Sequence, residues 1–69
     1  MTSRIVSEWE TLDNKGKAVI KYSDTDESFF IEYFDDVGHM FYTEEFPNKS
    51  LKYVDDAAEN WVLGYRELA

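Results

Sequence analysis

The segments KAVIKYS, residues 17–23, and SFFIEYF, residues 28–34, decide the fold. Both are rich in β-branched and aromatic residues, which favour β-strands. Between them lies DTDE, residues 24–27, which is polar and of a length that can close an antiparallel hairpin. The sequence therefore predicts a central β-hairpin with strands over 17–23 and 28–34.

Two further strands are predicted outside this hairpin. DNKG, residues 13–16, and DDVG, residues 35–38, both place Asp first and Gly fourth. That pattern is typical of a type I turn followed by a glycine at positive φ. Strands are therefore expected over 4–12 and 39–46, and short loops favour pairing between neighbours. The result is an antiparallel meander of three to four strands.

The last third of the chain changes to a helical period. Its apolar residues recur every three or four positions: Leu51, Val54, Ala57, Ala58, Trp61, Val62, Tyr65 and Leu68. Ser50 is placed to cap a helix over 51–68. Gly64 is discordant, since glycine costs about 1 kcal/mol relative to alanine inside a helix.

The order of these elements predicts one α+β domain over residues 1–69, with four strands followed by a helix on one sheet face. Hairpin pairing and alternation assign the two faces. The face expected beneath the helix carries Leu12, Ala18, Ile20, Tyr22, Phe29, Ile31, Tyr33 and Phe41. The opposite face, termed the outer face, is expected to carry Ile5, Trp9, Val19, Lys21, Phe30, Glu32, Phe34, Met40 and Tyr42.

The outer face is too aromatic for an ordinary solvated sheet face. We therefore predict a partner-binding or self-association surface, formed by Trp9, Phe30, Phe34, Met40 and Tyr42, with Lys21 and Glu32 setting its polarity. Two alternatives stay open at this point. The N-terminal segment could fold over this face, or a register shift of one residue could exchange the faces.

Composition narrows the function classes. The 69 residues include 15 Asp and Glu against 7 Lys and Arg, a net charge of −8, and no cysteine. Nucleic acids and anionic membranes attract basic chains, so neither is expected as a direct partner. The 43 % hydrophobic content argues against disorder. Without a membrane-length apolar run or a leader-like segment in residues 1–10, a cytoplasmic protein is expected.

The motifs for catalysis or metal binding are incomplete. Residues 24–35 begin like a calcium loop but place Phe29 where glycine is needed and Asp35 where the bidentate Glu belongs. His39 is the single histidine, and no cysteine accompanies it. We therefore predict a non-enzymatic interaction module without cofactor or metal. The alternative is an acidic DNA mimic, as in small phage accessory proteins, that inhibits a nucleic-acid-binding protein.

Overall fold

The computed structural model describes residues 3–12 and 15–66. It has one four-stranded antiparallel sheet in the order β1-β2-β3-β4, followed by a single helix. The elements are β1 (Ser3–Glu10), β2 (Lys17–Ser23), β3 (Ser28–Phe34), β4 (Met40–Phe46) and α1 (Leu51–Val62). The predicted α+β fold, with strands first and one C-terminal helix on the sheet, is confirmed.

The central hairpin forms in the predicted register. Ile20 pairs with Ile31 and Tyr22 pairs with Phe29, so these side chains share one face of the sheet. The amide of Asp26 donates to the Ser23 hydroxyl oxygen at 3.2 Å inside the connecting loop. The pairs across β2 and β3 therefore define which side chains share each face of the sheet.

The β3–β4 turn is also the predicted one. Gly38 has φ +89°, and its amide donates to the Asp35 carbonyl at 3.2 Å. The Asp35 carboxylate accepts the amides of His39 at 2.8 Å and Val37 at 3.1 Å. The hydrogen bond from His39 is the main cause that lowers the pKa of the Asp35 carboxyl. Aspartate at the first position thus organises this turn while ionised.

The β1–β2 connection differs from the predicted turn. Asp13 and Asn14 lie outside the described residues, and Gly16 is not at positive φ. Instead, the Thr11 hydroxyl oxygen accepts the amides of Lys15 at 2.9 Å and Gly16 at 3.1 Å. The strand ends at Glu10, so the predicted pairing of Leu12 with Ala18 is wrong. Leu12 is 92 % exposed rather than part of the core.

Each edge strand contains one extra residue. The register of β1 shifts between Ile5 and Ser7, which leaves Val6 unpaired in a bulge. In β4, Tyr33 pairs with Tyr42 and Phe34 pairs with Met40, so Phe41 is the extra residue. A bulge reverses the alternation of every residue beyond it. Faces assigned by strict alternation are therefore wrong for part of both edge strands.

The helix begins as predicted and ends earlier. Ser50 caps it, because its hydroxyl oxygen accepts the Tyr53 amide at 3.2 Å. At the other end Gly64 has φ +85°, its amide donates to the Trp61 carbonyl, and the Tyr65 amide donates to the Asn60 carbonyl. This pair of bonds is a Schellman motif. The predicted helix over 51–68 therefore stops at Val62, and Leu68 lies outside the described residues.

The core lies between α1 and the β1–β2–β3 part of the sheet. Its buried side chains are Ala18, Ile20, Ile31, Tyr33, Phe46, Val54 and Ala58. Phe41, which was predicted to lie in this core, is 51 % exposed at the bulge. The part of the chain that the structure describes has no helix long and apolar enough to span a lipid bilayer.

Candidate interaction site

The outer face of the sheet consists of three cross-strand rows of side chains. Direct partners in adjacent strands share a face, so the register defines each row. The first row contains Ile5, Lys21, Phe30 and Glu45. The second contains Glu8, Val19, Glu32 and Thr43, and the third contains Glu10, Lys17, Phe34 and Met40. The face is thus a mixture of apolar and charged groups.

Five of the seven predicted site residues lie on this face. The rows bring together Lys21, Phe30, Glu32, Phe34 and Met40. Met40 is at the β4 edge and 52 % exposed. The structure therefore places the centre of the predicted surface on β2 and β3, where the hairpin register was predicted correctly.

Trp9 was predicted on the outer face, and that placement is wrong. The β1–β2 connection is longer than predicted, so Trp9 takes the place opposite Ala18 that was predicted for Leu12, and its indole lies on the helix side. Its Nε1 donates to Oδ1 of Asp55 on the helix at 3.3 Å. Trp9 thus joins β1 to α1 and packs against the core.

Tyr42 was also predicted on the outer face, and the structure places it on the helix side. It pairs with Tyr33, and their ring centroids are 5.9 Å apart. The cause is the extra residue at Phe41, which moves Tyr42 and every second residue after it to the core face. Strict alternation had placed Tyr42 on the outer face.

The described N-terminal residues do not cover the outer face. Residues 3–10 form β1, which pairs with β2 at the edge of the sheet. The alternative in which this segment folds across the sheet is therefore wrong for residues 3–12. The register alternative is correct in part, because the longer β1–β2 connection changes the face of Trp9 and the bulge at Phe41 changes the face of Tyr42.

A groove of about 480 Å³ runs across this face. At its centre Val19 is only 5 % exposed, although the helix covers the other side of the sheet. Its cross-strand neighbours Glu8 and Glu32 and its strand neighbours Lys17 and Lys21 surround it. The long aliphatic parts of these side chains bury the valine while their charged ends stay near water.

Ion pairs tie these four side chains together. Nζ of Lys21 lies 2.8 Å from Oε1 of Glu32, and Nζ of Lys17 lies 3.4 Å from Oε1 of Glu8. Both pairs run diagonally between adjacent strands on one face. The charge of each lysine on this face is therefore already balanced by a glutamate.

The end of the groove near the β3–β4 turn is acidic. Glu10, Asp35 and Asp36 line it there, together with Gly38. The whole lining includes five carboxylates and two ammonium groups, which is a net charge of −3. Since both ammonium groups are paired, the negative potential is concentrated at Glu10 and the turn.

A second polar cluster lies on the opposite side of the sheet. Beyond the Schellman motif, Arg66 donates to the Glu44 carboxylate at 2.7 Å and to the Tyr33 hydroxyl at 2.9 Å. The Tyr33 hydroxyl donates to Oε1 of Glu44 at 3.0 Å. Sequence analysis missed this cluster, because Glu44 reaches the helix side only through the bulge at Phe41. It fastens the chain after α1 to β3 and β4.

Burial sets the acidity of Tyr33. Desolvation raises the pKa of its hydroxyl to about 12, and the hydrogen bond from Arg66 opposes part of that increase. The hydrogen bond to Glu44 raises the pKa of the Arg66 guanidinium. At neutral pH the cluster thus holds a neutral phenol, a carboxylate and a guanidinium, which suits a structural role.

The raised pKa of Tyr33 predicts a loss of stability at alkaline pH. An unfolded tyrosine ionises near pH 10, while the folded one keeps its proton to about pH 12. The folded state therefore binds more protons between these values, and the free energy of unfolding falls as pH rises through them. We expect a loss of about 2 kcal/mol relative to the Tyr33→Phe variant.

Urea unfolding followed by circular dichroism between pH 9 and pH 12 measures this difference. Tyr33→Phe is the matched control, because it keeps the ring and lacks the ionisable group. The two stability curves should converge as pH rises. Curves that stay parallel over the whole range would contradict the raised pKa.

Residues 3–12 and 15–66 contain no group of three or more His, Asp or Glu side chains that could hold a metal ion. Comparison of the chain with known protein families, with curated proteins and with solved structures finds no match.

Proposed function

We propose that this chain is a small non-enzymatic interaction module whose outer face binds a protein partner or a second copy of itself. The observation that carries the proposal is apolar surface on an uncovered sheet face. Ile5 is 57 % exposed and Met40 is 52 % exposed, and Phe30 and Phe34 are partly exposed between them. Such surface beside a groove is typical of interaction sites.

The edges of the sheet are less suited to binding than its face. Both edge strands contain a bulge, at Val6 in β1 and at Phe41 in β4. Bulges interrupt the row of backbone groups that an added strand would need. Glu44 and Glu45 add charge beside the second edge. We therefore assign the contact to side chains of the outer face rather than to strand addition.

Charge supports a protein partner over a nucleic acid or a membrane. Five basic side chains lie in ion pairs: Arg4 with Asp24, Lys17 with Glu8, Lys21 with Glu32, Lys52 with Asp56, and Arg66 with Glu44. Paired cations have little charge left for phosphates. We expect no direct binding of nucleic acid or membrane, and a cytoplasmic location.

The same charge distribution supports the second candidate, an acidic DNA mimic that inhibits a nucleic-acid-binding protein. The ion pairs use five carboxylates, while exposed acids such as Asp26, Asp36 and Glu45 stay on the surface. This candidate predicts salt-sensitive binding to a basic nucleic-acid-binding protein. Neutralising Asp26 and Asp36 together should weaken that binding, and unchanged binding would refute the mimic.

Phe34→Ser tests the proposed function. Loss of the ring from the third row of the outer face should weaken binding by about tenfold or more without changing the charge. The fold should stay intact, because Phe34 is partly exposed and lies outside the buried core. Leu12→Ser is the matched control, because Leu12 is 92 % exposed in the β1–β2 connection.

Sedimentation equilibrium and capture on the immobilised chain provide the measurements. Self-association predicts a mass near twice 8.2 kDa that shifts toward the monomer in Phe34→Ser but not in Leu12→Ser. A partner protein predicts capture that is reduced in Phe34→Ser alone. A monomer whose captured proteins are the same for all three chains would refute the proposal.

A further inference from the structure

The outer groove has room for a few side chains of a partner. Its volume of about 480 Å³ falls within the usual range for sites that enclose small ligands or short segments. Val19 forms the floor, Ile5 lies at one end, and Phe34 lies beside the β3–β4 turn. An occupant therefore needs at least one apolar side chain of moderate size.

The charge of the groove indicates which charged side chains an occupant should carry. Lys17 and Lys21 are each paired with a glutamate, so Glu10 and Asp36 are left to attract cations at the turn end. The hydrogen bonds from the His39 and Val37 amides lower the pKa of the neighbouring Asp35, which therefore stays ionised. Complementary charge favours a partner with Lys or Arg side chains.

A second copy of this chain is a poor match for the groove. Face-to-face packing around a two-fold axis would place two linings of charge −3 against each other. The chains themselves each have a net charge of −8. Like charges brought together at an interface oppose association. Of the two occupants allowed by the proposed function, the charge favours a different and basic protein.

We infer that the outer groove binds a short basic segment of a partner protein, with an apolar side chain against Phe34 and cationic side chains beside Glu10 and Asp36. This inference rests on the proposed function and specifies the partner's chemistry. Binding should depend strongly on salt, because the cationic contacts are exposed to solvent. The apolar contact should keep part of the affinity at high salt.

Two synthetic pentapeptides are the probes, Lys-Lys-Phe-Lys-Lys and Glu-Glu-Phe-Glu-Glu. Titration of the ¹⁵N-labelled full chain, followed by two-dimensional NMR, locates each peptide. The basic peptide should shift the amides of Val19, Phe34 and Asp36, and the acidic peptide should shift none of them. Replacing the peptide's Phe by Ala should weaken binding several-fold, roughly as loss of a buried aromatic group implies.

The double variant Glu10→Gln with Asp36→Asn should lower the affinity for the basic peptide by about fivefold or more, as the loss of two charged contacts implies. Asp26→Asn with Glu59→Gln is the matched control, since it removes two carboxylates that do not line the groove. The control should retain affinity within about twofold. Equal weakening in both double variants would show general charge attraction and would overturn the inference.

Other outcomes separate this inference from the proposed function. The inference of a basic segment is wrong if the two peptides bind equally or if neither binds. It is also wrong if the shifts are confined to residues outside the groove. If the chain then dimerises and Phe34→Ser shifts the dimer toward the monomer, the proposed function still holds with a second copy as occupant. The Phe34→Ser comparison uses no peptide and tests the outer face itself, because unchanged binding in that variant would refute the proposed function.

Discussion

Tyr42→Glu is expected to destabilise the fold by about 3 kcal/mol, because it removes a packed ring and places a carboxylate among partly buried groups. The Tyr42 ring packs against Tyr33, whose side chain is fully buried. The new charge would also lie two residues from Glu44 on the same face of β4. Domains of this size have only several kcal/mol of stability, so the urea concentration at the unfolding midpoint should fall sharply.

Phe41→Glu is the matched control for this prediction. Phe41 precedes Tyr42 in the chain, and its side chain is 51 % exposed at the bulge. Its ring still lies 6.5 Å from Tyr33 and 6.4 Å from Trp61, so a cost of about 1 kcal/mol is expected. Urea unfolding measures both variants. If Phe41→Glu proves the more damaging of the two, the bulge is misplaced and the faces of β4 follow strict alternation.

The faces of Phe41 and Tyr42 could not be assigned from the sequence, whereas other parts of the fold could. The central hairpin was predictable, because its loop length fixed the register and its apolar residues alternate without interruption. Asp35 and Gly38 likewise predicted their turn, since each residue meets a backbone requirement of that turn type. The order of elements followed from these local signals.

The faces of the edge strands were not predictable by the same reasoning. A bulge changes the period by one residue, and neither Val6 nor Phe41 differs in type from an ordinary strand residue. The bulge at Phe41 explains the misplacement of Tyr42. Trp9 was misplaced because Leu12 was paired with Ala18 across a connection that is longer than predicted. The two errors made the outer face look more aromatic than it is. They also concealed the bond from Trp9 to Asp55 and the cluster around Glu44. Long-range packing decides where bulges form, and the local sequence pattern does not reveal that packing.

The corrected outer face changes the expected partner. With Trp9 and Tyr42 removed, the surface keeps Phe30, Phe34 and Met40 and gains the acids of β1. A strongly aromatic face would have favoured association with any apolar surface, including a second copy. The observed mixture of partly exposed apolar groups and acidic residues favours a basic segment with an apolar anchor instead.

Replacing Gly16 should also cost much stability, because the indole of Trp61 lies where the Cβ of a side chain would be. A Cβ added to Gly16 would lie 2.9 Å from Cη2 of Trp61 and 3.2 Å from the carbonyl oxygen of Phe34. Gly16 does not require positive φ, so the constraint is close packing rather than backbone conformation. We expect Gly16→Ala to cost about 2 kcal/mol, as overpacking of a rigid site does.

A double-mutant cycle with Trp61→Phe tests this cause. Phenylalanine is shorter than tryptophan and lacks Cη2, so it removes the closest contact to the added methyl group. Gly16→Ala should therefore cost less in the Trp61→Phe background, by about 1 kcal/mol. Part of the cost should persist, because the Phe34 carbonyl oxygen stays 3.2 Å away.

Urea unfolding followed by far-ultraviolet circular dichroism suits all four chains of the cycle, because it does not depend on tryptophan fluorescence. Trp61 also packs edge-on against Tyr33 at 4.9 Å, so Trp61→Phe has its own cost, which the cycle subtracts. Additive costs would mean that Gly16 is needed for another reason than the indole. A coupling of the expected sign would show that the β1–β2 connection and the end of α1 are held together by this contact.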